Sequence, residues 1–517
     1  MHNKLGIELD YVSGSFYGYL RIGNANKDLE LENINDAKDL LDYTKSKLKG
    51  YFNFSTLFNA YQEEKGGQTL ANNDGLGHKK IYSDSGGLQV LTAGKVIDDT
   101  IRDKVYEVQA KYSDYAMTFD EMPLMIADGL GDNAVNGNVG QVYIDELIPI
   151  SAKKCAEHIQ KQINKFEELK SNTKILPILH GYTPETFLEY AENIFNNLEN
   201  VGDHIQGIAI ASLRGHSDNK VGIMKLFDYL PKIINSPRLN KQYLNHIHLL
   251  GVARPQRIIP IIMMLKKGLL PVKRVSFDST AITKSYTIGK VYPNLEEYKN
   301  DEKAKKFSPV LTLNSYTDKS HPNIEQFYNN IHNLFKDYKN YMFEDWEDLA
   351  KHSQNNGDKL TPSKQFEKYG IEYERKFLQQ IRLANMYHMH CYLSMIEAFI
   401  DDELTLKDLF GKNDSIYNIF NTFDSVNTLE EFADQADFFY TSASRGRTNL
   451  RILACKTIAE FEKKYKTKQP CLHEELGIEK DVVIINEELK KPWIKSSMKR
   501  AKKNIWSDDE HPGNTLF

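Results

Sequence analysis

Between residues 80 and 280, short apolar runs of strand length alternate with longer stretches whose apolar residues recur every three or four positions. The short runs are KKIYSDSGG, YAMTFDEMP, KILPILHGYTPE, IQGIAIASLRG, HIHLLGVARP and RVSFDST, each closing on polar or glycine residues. Among the longer stretches, ISAKKCAEHIQKQINKFEELK sets Ala152, Cys155, Ile159, Ile163 and Phe166 on one helical face, a stripe suited to packing on a sheet. Six strand–helix repeats with chemically versatile residues at every strand's C-terminal end predict an α/β fold, a (β/α)8 barrel, because the loops after parallel strands gather at one mouth. An open doubly wound sheet is the alternative, but it would concentrate polar residues at one switch point instead of after every strand.

Outside this rhythm the pattern is weaker. YVSGSFYGYLRIG reads as a hairpin and YFNFSTLFNAYQ as strand or helix. Residues 295–375 are rich in Lys, Asp and Asn without clean periodicity, and FLQQIRLANMYHMHCYLSMIEAFI has the length and apolarity of a closing barrel helix. The expected organisation is a barrel over 1–400, carrying a polar insertion at about 295–375, and a mostly helical C-terminal region over 401–517 ending in a basic tail.

Composition narrows the class of protein. A chain of 517 residues that is 41% hydrophobic can bury a large core and support a second region. Its net charge of −5 does not mark a nucleic-acid binder, so any such surface is a local patch. Cys155, Cys391, Cys455 and Cys471 lack CxxC spacing and read as small buried residues in a reducing compartment. The opening MHNKLGIELDYVSG has no apolar leader core, and no stretch approaches the roughly 18 to 20 apolar residues of a membrane span. A cytoplasmic protein with no membrane partner is the expectation.

Three motifs carry candidate chemistry. Ser83-Asp84-Ser85-Gly86-Gly87-Leu88-Gln89 follows a strand directly, where paired glycines admit a ligand close to the backbone and an aspartate is presented to it; a plain tight turn is the other reading. Phe119-Asp120-Glu121-Met122-Pro123 closes the next run; its carboxylate can accept two N–H donors from a guanine-like edge, or lie in a solvated loop. Ser276-Phe277-Asp278-Ser279-Thr280 ends the sixth run, where a carboxylate can attack a glycosidic carbon, or simply cap the following helix. Together with His180-Gly181 and Leu249-Leu250-Gly251-Val252, these fall in chain order at successive strand ends.

In that order the motifs resemble the tRNA-guanine transglycosylases. SDSGGLQ is similar to the family's SDSGGFQ, TFDEMP to its FDE strand, LLGV to its LMGVG, and SFDST to the strand of its catalytic aspartate, over roughly residues 80–290. The resemblance implies a (β/α)8 barrel with Asp278 as the nucleophile at ribose C1′ and Asp84 as acid/base. It implies further that Asp120 binds the pyrimidine edge of the base, with Ser85, Gly86, His180 and Gly251 in the substrate site. Leu88 and Leu250 would sandwich the base, and Ser212 and Leu213 would offer backbone groups to its carbonyl or 7-substituent.

The departures carry information too. His180 stands where the family has glutamine, Ala211-Ser212 where it has a glycine pair, and Leu88 where it has an aromatic. The family's zinc site, CxCxxC followed by histidine, has no counterpart, because residues 281–390 contain no cysteine. His388, His390 and Cys391 lie in an apolar helical pattern and point in different directions around its axis, so no metal and no cofactor is expected. In the tRNA enzymes that zinc subdomain supports tRNA docking, so its loss implies another polymer.

Lys495, Lys499, Arg500, Lys502 and Lys503 near Trp493 and Trp506, Arg445 and Arg447 in SRGR, and Lys284 just past the nucleophile are candidate phosphate contacts; a solvated basic tail is the alternative for the first group. The chain is most similar to the branch that inserts 7-deazaguanine derivatives, such as 7-cyano-7-deazaguanine, into DNA. The partners to expect are DNA, with tRNA as the alternative, a 7-deazaguanine base, and a second copy of the chain in a homodimer. A non-catalytic nucleic-acid-binding subunit is a third reading, opposed by the presence of Asp84, Asp120 and Asp278.

Overall fold

A computed structural model describes residues 3–13, 55–61, 79–87, 97–128, 139–143, 147–181, 184–211, 219–239, 241–252, 255–278, 333, 391, 393–410 and 414–444. The strands are β1 (Glu8–Ser13), β2 (Ser55–Asn59), β3 (Ile81–Asp84), β4 (Tyr115–Met117), β5 (Leu124–Asp128), β6 (Val139–Tyr143), β7 (Lys174–Leu176), β8 (Ile178–Leu179), β9 (Gly207–Ile210), β10 (His246–Leu249) and β11 (Arg274–Asp278). Between them run α1 (Asp99–Tyr112), α2 (Leu147–Glu168), α3 (Pro184–Asn196), α4 (Asn219–Asn235) and α5 (Pro255–Lys266).

Nine of the strands form one sheet in the order β7, β4, β3, β2, β1, β11, β10, β9, β8, with every pair parallel. Its two ends are consecutive in sequence, for only Pro177 separates β7 from β8. Proline has no N–H for the ladder, and the strand changes partner there: β7 pairs with β4, and β8 pairs with β9. The Pro177 carbonyl still accepts from Ala209 N–H at 2.8 Å, and Ile175 bridges to Ile205. Counted as one broken stave, β7 and β8 complete an eight-stave barrel, the architecture that the hydrophobic pattern predicts.

Alternation divides the side chains of each stave between two environments. Tyr11, Phe58, Ala116, Ile175, Ile208, Ile247 and Val275 pack outward against the helices in one continuous core. Val12, Tyr82, Met117, Leu176, Ile178, Ala209 and Ala211 form a separate cluster inside the barrel. In α2, Ala152, Cys155, Ile159, Ile163 and Phe166 are all buried, as their spacing requires. Asp98 caps α1 by accepting from Ile101 N–H at 2.8 Å, with Asp99 in the first turn and Lys111 in the last.

Three places outside the strand–helix rhythm take on definition. Of the segment read as a hairpin, residues 11–13 end β1, which pairs in parallel with β11 on one side and β2 on the other, and 14–23 lie outside the described residues. The partners of β1 lie far away in the chain, which its local alternation does not specify. The ambiguous YFNFSTLFNAYQ contains strand β2. An antiparallel pair, β5 with β6, follows the Asp120 loop where no element was expected, and the sequence between the two strands is rich in Gly and Asn.

Past the barrel the described chain is mostly helical: 393–400, Leu406–Phe410, Asp414–Asp424 and Leu429–Ser444. Phe423 stacks on Phe227 of α4 at 3.9 Å and 6°, with Phe420 and Phe432 beside it, so the barrel's outer core continues into these helices across residue 400. Lys266 donates to Phe399 O at 2.6 Å and pairs with Asp402, which Lys4 also meets at 2.6 Å. Among the described residues no helix is long and apolar enough to cross a membrane.

The barrel wall is tight at Gly207, where a Cβ would stand 2.3 Å from His246 O and 2.6 Å from His246 Cβ. Gly207→Ala is therefore expected to cost about 1–3 kcal/mol by overpacking a backbone that cannot yield. Gly268→Ala, at a positive φ of 68° in open space, is expected to lose about 1 kcal/mol from backbone strain alone. Urea unfolding of both variants checks the order; equal losses would contradict the close approach at Gly207.

Candidate active site

β3, β4 and β11 bring three aspartates to the same end of the barrel. Asp84 is the last residue of β3 and Asp278 the last of β11, while Asp120 lies three residues beyond β4. Asp84 sits in register with Asn59, and Asp278 with Val12, so both occupy the C-terminal rim. At the opposite rim, Lys80, Asp114, Tyr115, Ser171, Thr173 and Lys174 border a shallow groove in which Lys80 and Asp114 are already paired at 3.0 Å. In parallel barrels chemistry belongs to the C-terminal rim, and the aspartates lie there.

The turn after β3 is built around Gly86, which has a φ of +83°. A Cβ there would also lie 2.7 Å from Asn59 Oδ1, so backbone shape and crowding both require glycine. Ser85 is fully buried, and its hydroxyl accepts from Gly87 N–H at 3.3 Å, which commits that side chain to holding the turn. The Ser85 and Gly86 N–H groups also donate to Asp84.

Burial, then the charge of Asp120, then that of Asp278, push Asp84 up to about 7, against the lowering effect of those two N–H donors. A carboxyl that titrates near neutrality can both give and take a proton, which is the requirement for acid/base catalysis.

Asp120 is 8% exposed, and its Oδ2 lies 2.6 Å from Nε2 of the buried His180. Its other oxygen approaches the turn of Gly87, where a Cβ would stand only 3.3 Å away. His180 is itself braced edge-on by Tyr190 at 5.5 Å. The neighbouring Glu121 faces away, toward His158 at 3.0 Å and Arg102 at 3.6 Å, while its carbonyl accepts from the Tyr190 hydroxyl at 2.7 Å. The two adjacent carboxylates thus divide their roles, Glu121 anchoring the loop to α1 and α2 and Asp120 remaining at the mouth.

Asp278 is 8% exposed, and its Oδ1 accepts from Gly251 N–H at 2.8 Å and lies 3.3 Å from His248 Nε2. Leu250, the residue before that donor, is held by its own N–H to Ile210 O at 3.1 Å and packs on the barrel's inner cluster. Asp84, Ser85, Gly86, Asp120, His180, Leu250, Gly251 and Asp278 thus gather around one barrel mouth. Leu88, Ser212 and Leu213 lie outside the described residues, as do Lys284, Arg445, Arg447, Lys495, Lys499, Arg500, Lys502 and Lys503, and the histidines His388 and His390. Among the described residues no cluster of three His, Cys, Asp or Glu side chains is placed to hold a metal ion.

The sequence reading passed over a set of residues inside the barrel. Asp10, Ser55, Tyr82, His246, His248 and Ser276 are all buried there and mutually hydrogen-bonded. Alternation could have found them. In HIHL and RVSFD the polar residues fall two apart, and in a barrel stave one such face points inward. No family model matches the chain, and no curated protein matches it.

The elevated Asp84 gives a stability signature. Its folded-state value lies above the ordinary carboxylate range, so the stability it contributes is complete below about pH 4 and is lost as pH rises through about 7. Asp84→Asn removes the charge that becomes unfavourable. It is expected to raise the melting temperature relative to wild type at pH 8, with the gain shrinking toward pH 4. A gain independent of pH would show that Asp84 is not the group responsible.

Proposed function

We propose that this chain is a base-exchange transglycosylase that replaces guanine in DNA by a 7-deazaguanine derivative, such as the 7-cyano compound, through a covalent sugar–aspartate intermediate. The observation that carries the reading is the meeting of Asp84, Asp120 and Asp278 at one barrel mouth, with Asp84 poised near neutrality and Asp278 held at one oxygen. The residue-by-residue resemblance of the surrounding motifs supports it.

In this mechanism Asp278 attacks C1′ while the C1′–N9 bond breaks, and the electrons of that bond leave with guanine. Protonated Asp84 supplies the departing base with a proton. The incoming 7-deazaguanine then loses its N9 proton to Asp84, attacks C1′, and releases Asp278. Protons and electrons balance over the cycle without a cofactor. Splitting one displacement into two leaves the sugar tethered while the bases exchange in a single pocket, where Asp120 accepts from the N–H groups of the pyrimidine edge.

DNA is the favoured polymer for two reasons. The CxCxxC motif of the tRNA enzymes has no counterpart in 281–390, and the chain carries additional helices and a basic C-terminal stretch. A duplex must release its base from the stack before C1′ can be reached, which demands extra protein surface.

The test is exchange of labelled guanine and 7-cyano-7-deazaguanine into matched DNA and tRNA, with nucleosides resolved by mass spectrometry. Label in DNA alone is expected, and label in tRNA alone would transfer the reading to an atypical tRNA enzyme. Without an exchange base the wild type should form a denaturation-resistant adduct with nucleic acid. Asp278→Asn should form none, and Asp84→Asn should slow exchange by about 10²–10⁴-fold. A normal adduct from Asp278→Asn would overturn the nucleophile assignment.

A further inference from the structure

The polar residues inside the barrel form a continuous column. Toward the N-terminal end, Asp10 Oδ2 accepts from Ser55 Oγ at 2.6 Å, with Arg274 Nη1 at 3.4 Å and Lys79 Nζ 3.9 Å from its other oxygen. The Tyr82 hydroxyl lies 3.3 Å from Asp10 Oδ2 and 3.4 Å from His246 Nε2. Ser276 Oγ stands 2.6 Å from His246 Nε2 and 2.8 Å from His248 Nδ1, and His248 Nε2 reaches Asp278 Oδ1 at 3.3 Å. The column therefore ends on the proposed nucleophile. Small-barrel interiors are ordinarily filled by branched aliphatic residues, so a polar column here needs a reason.

Hydrogen counting decides which way the column points. The Ser276 hydroxyl has one hydrogen to give and two lone pairs; were both imidazoles to donate to it, the bare Nε2 of His248 would face the Asp278 carboxylate, so the hydrogen goes to one of the two rings. If the hydrogen goes to His246 Nε2, the proton of that neutral ring sits on Nδ1, a buried atom with no partner, and a bare buried N–H is among the rarest defects in proteins. If it goes to His248 Nδ1, His246 donates from Nε2 to Ser276 and keeps only an unpaired lone pair on Nδ1. Burial, reinforced by the nearby His248 and Arg274, holds His246 far below the ordinary imidazole range, consistent with that neutral form. The second arrangement leaves the proton of His248 on Nε2, aimed at Asp278.

We propose that His248 is a positioning residue for Asp278: it donates its Nε2–H to Oδ1, and Ser276 and His246 fix the tautomer that makes this donation available. With Gly251 N–H on the same atom, both hydrogen bonds to the carboxylate among the described residues fall on Oδ1, which leaves Oδ2 to face the sugar. Stacking of His248 on Tyr82, with ring centroids 5.5 Å apart, fixes the plane of the imidazole. The link to catalysis rests on the base-exchange reading, whereas the direction of the hydrogen bonds does not.

Two measurements separate these levels. In full-length protein with ¹⁵N-labelled histidine, the His248 signals, assigned by their loss in His248→Gln, should show a protonated Nε2 and an unprotonated Nδ1. Ser276→Ala, which adds no bulk, should turn them into a mixture of tautomers. A protonated Nδ1 on wild-type His248, or unchanged signals in Ser276→Ala, would overturn the proposal.

In single-turnover adduct formation with DNA, His248→Phe should slow the covalent step about 10²-fold at unchanged half-saturation, the scale of a misplaced reacting group. His248→Gln, whose side-chain amide nitrogen can replace Nε2–H, should stay within about tenfold of wild type. Wild-type speed in a folded His248→Phe, or equal losses in the two variants, would overturn the positioning role. A wild-type protein that forms no adduct with DNA or tRNA would overturn the base-exchange reading, and the tautomer spectrum would then decide the hydrogen-bond geometry alone.

Discussion

Closure of eight parallel staves turns every second side chain into one narrow interior, where a polar atom has only other staves for company. A buried polar group without a partner costs roughly 1–3 kcal/mol, so the interior favours either apolar bulk or polar groups that bond to one another. This barrel uses both solutions. On one side Met117, Leu176, Ile178, Ala209 and Ala211 fill the space with apolar bulk. On the other, Asp10, Tyr82, His246, Ser276 and His248 are linked to one another by hydrogen bonds, with Nδ1 of His246 and Oδ1 of Asp10 left out of the chain, and His248 reaches Asp278. The shape of the mouth depends on that interior.

The three rim aspartates are held by different means, and the differences divide their labour. Asp278 is held by the His248 imidazole on β10 and by the Gly251 N–H two residues past it. Asp120 is held by His180 from the stave broken at Pro177, while Glu121 ties the loop to the helices behind. Asp84 is held by two N–H groups of its own turn, and burial and its acidic neighbours raise it toward neutrality. Charges of one sign gathered in a poorly hydrated mouth cannot all ionise with ease, and burial together with its acidic neighbours puts that strain on Asp84.

Continuity between the barrel and the C-terminal helices extends the same scaffold. The stack of Phe227 on Phe423 fastens those helices to α4, and Lys266 and Lys4 converge on Asp402 from the barrel side. Loops at the mouth are thereby carried on a wall buttressed from outside as well as filled from inside.

Much of this was legible in the chain. Short apolar runs alternating with amphipathic stretches identified six staves and their helices, because period-2 and period-3.6 patterns are local properties of the backbone. The positions of Asp84, Asp120 and Asp278 at strand ends were legible for the same reason. Tertiary structure decided what depends on closure. It decided that Glu8–Ser13 is a stave flanked by β2 and β11, that Pro177 splits one stave between two neighbours, and that the histidines of HIHL face inward to meet Ser276 and Asp278. Those relations join residues 28 to 266 positions apart, and no local pattern encodes which distant stave will stand beside a given one.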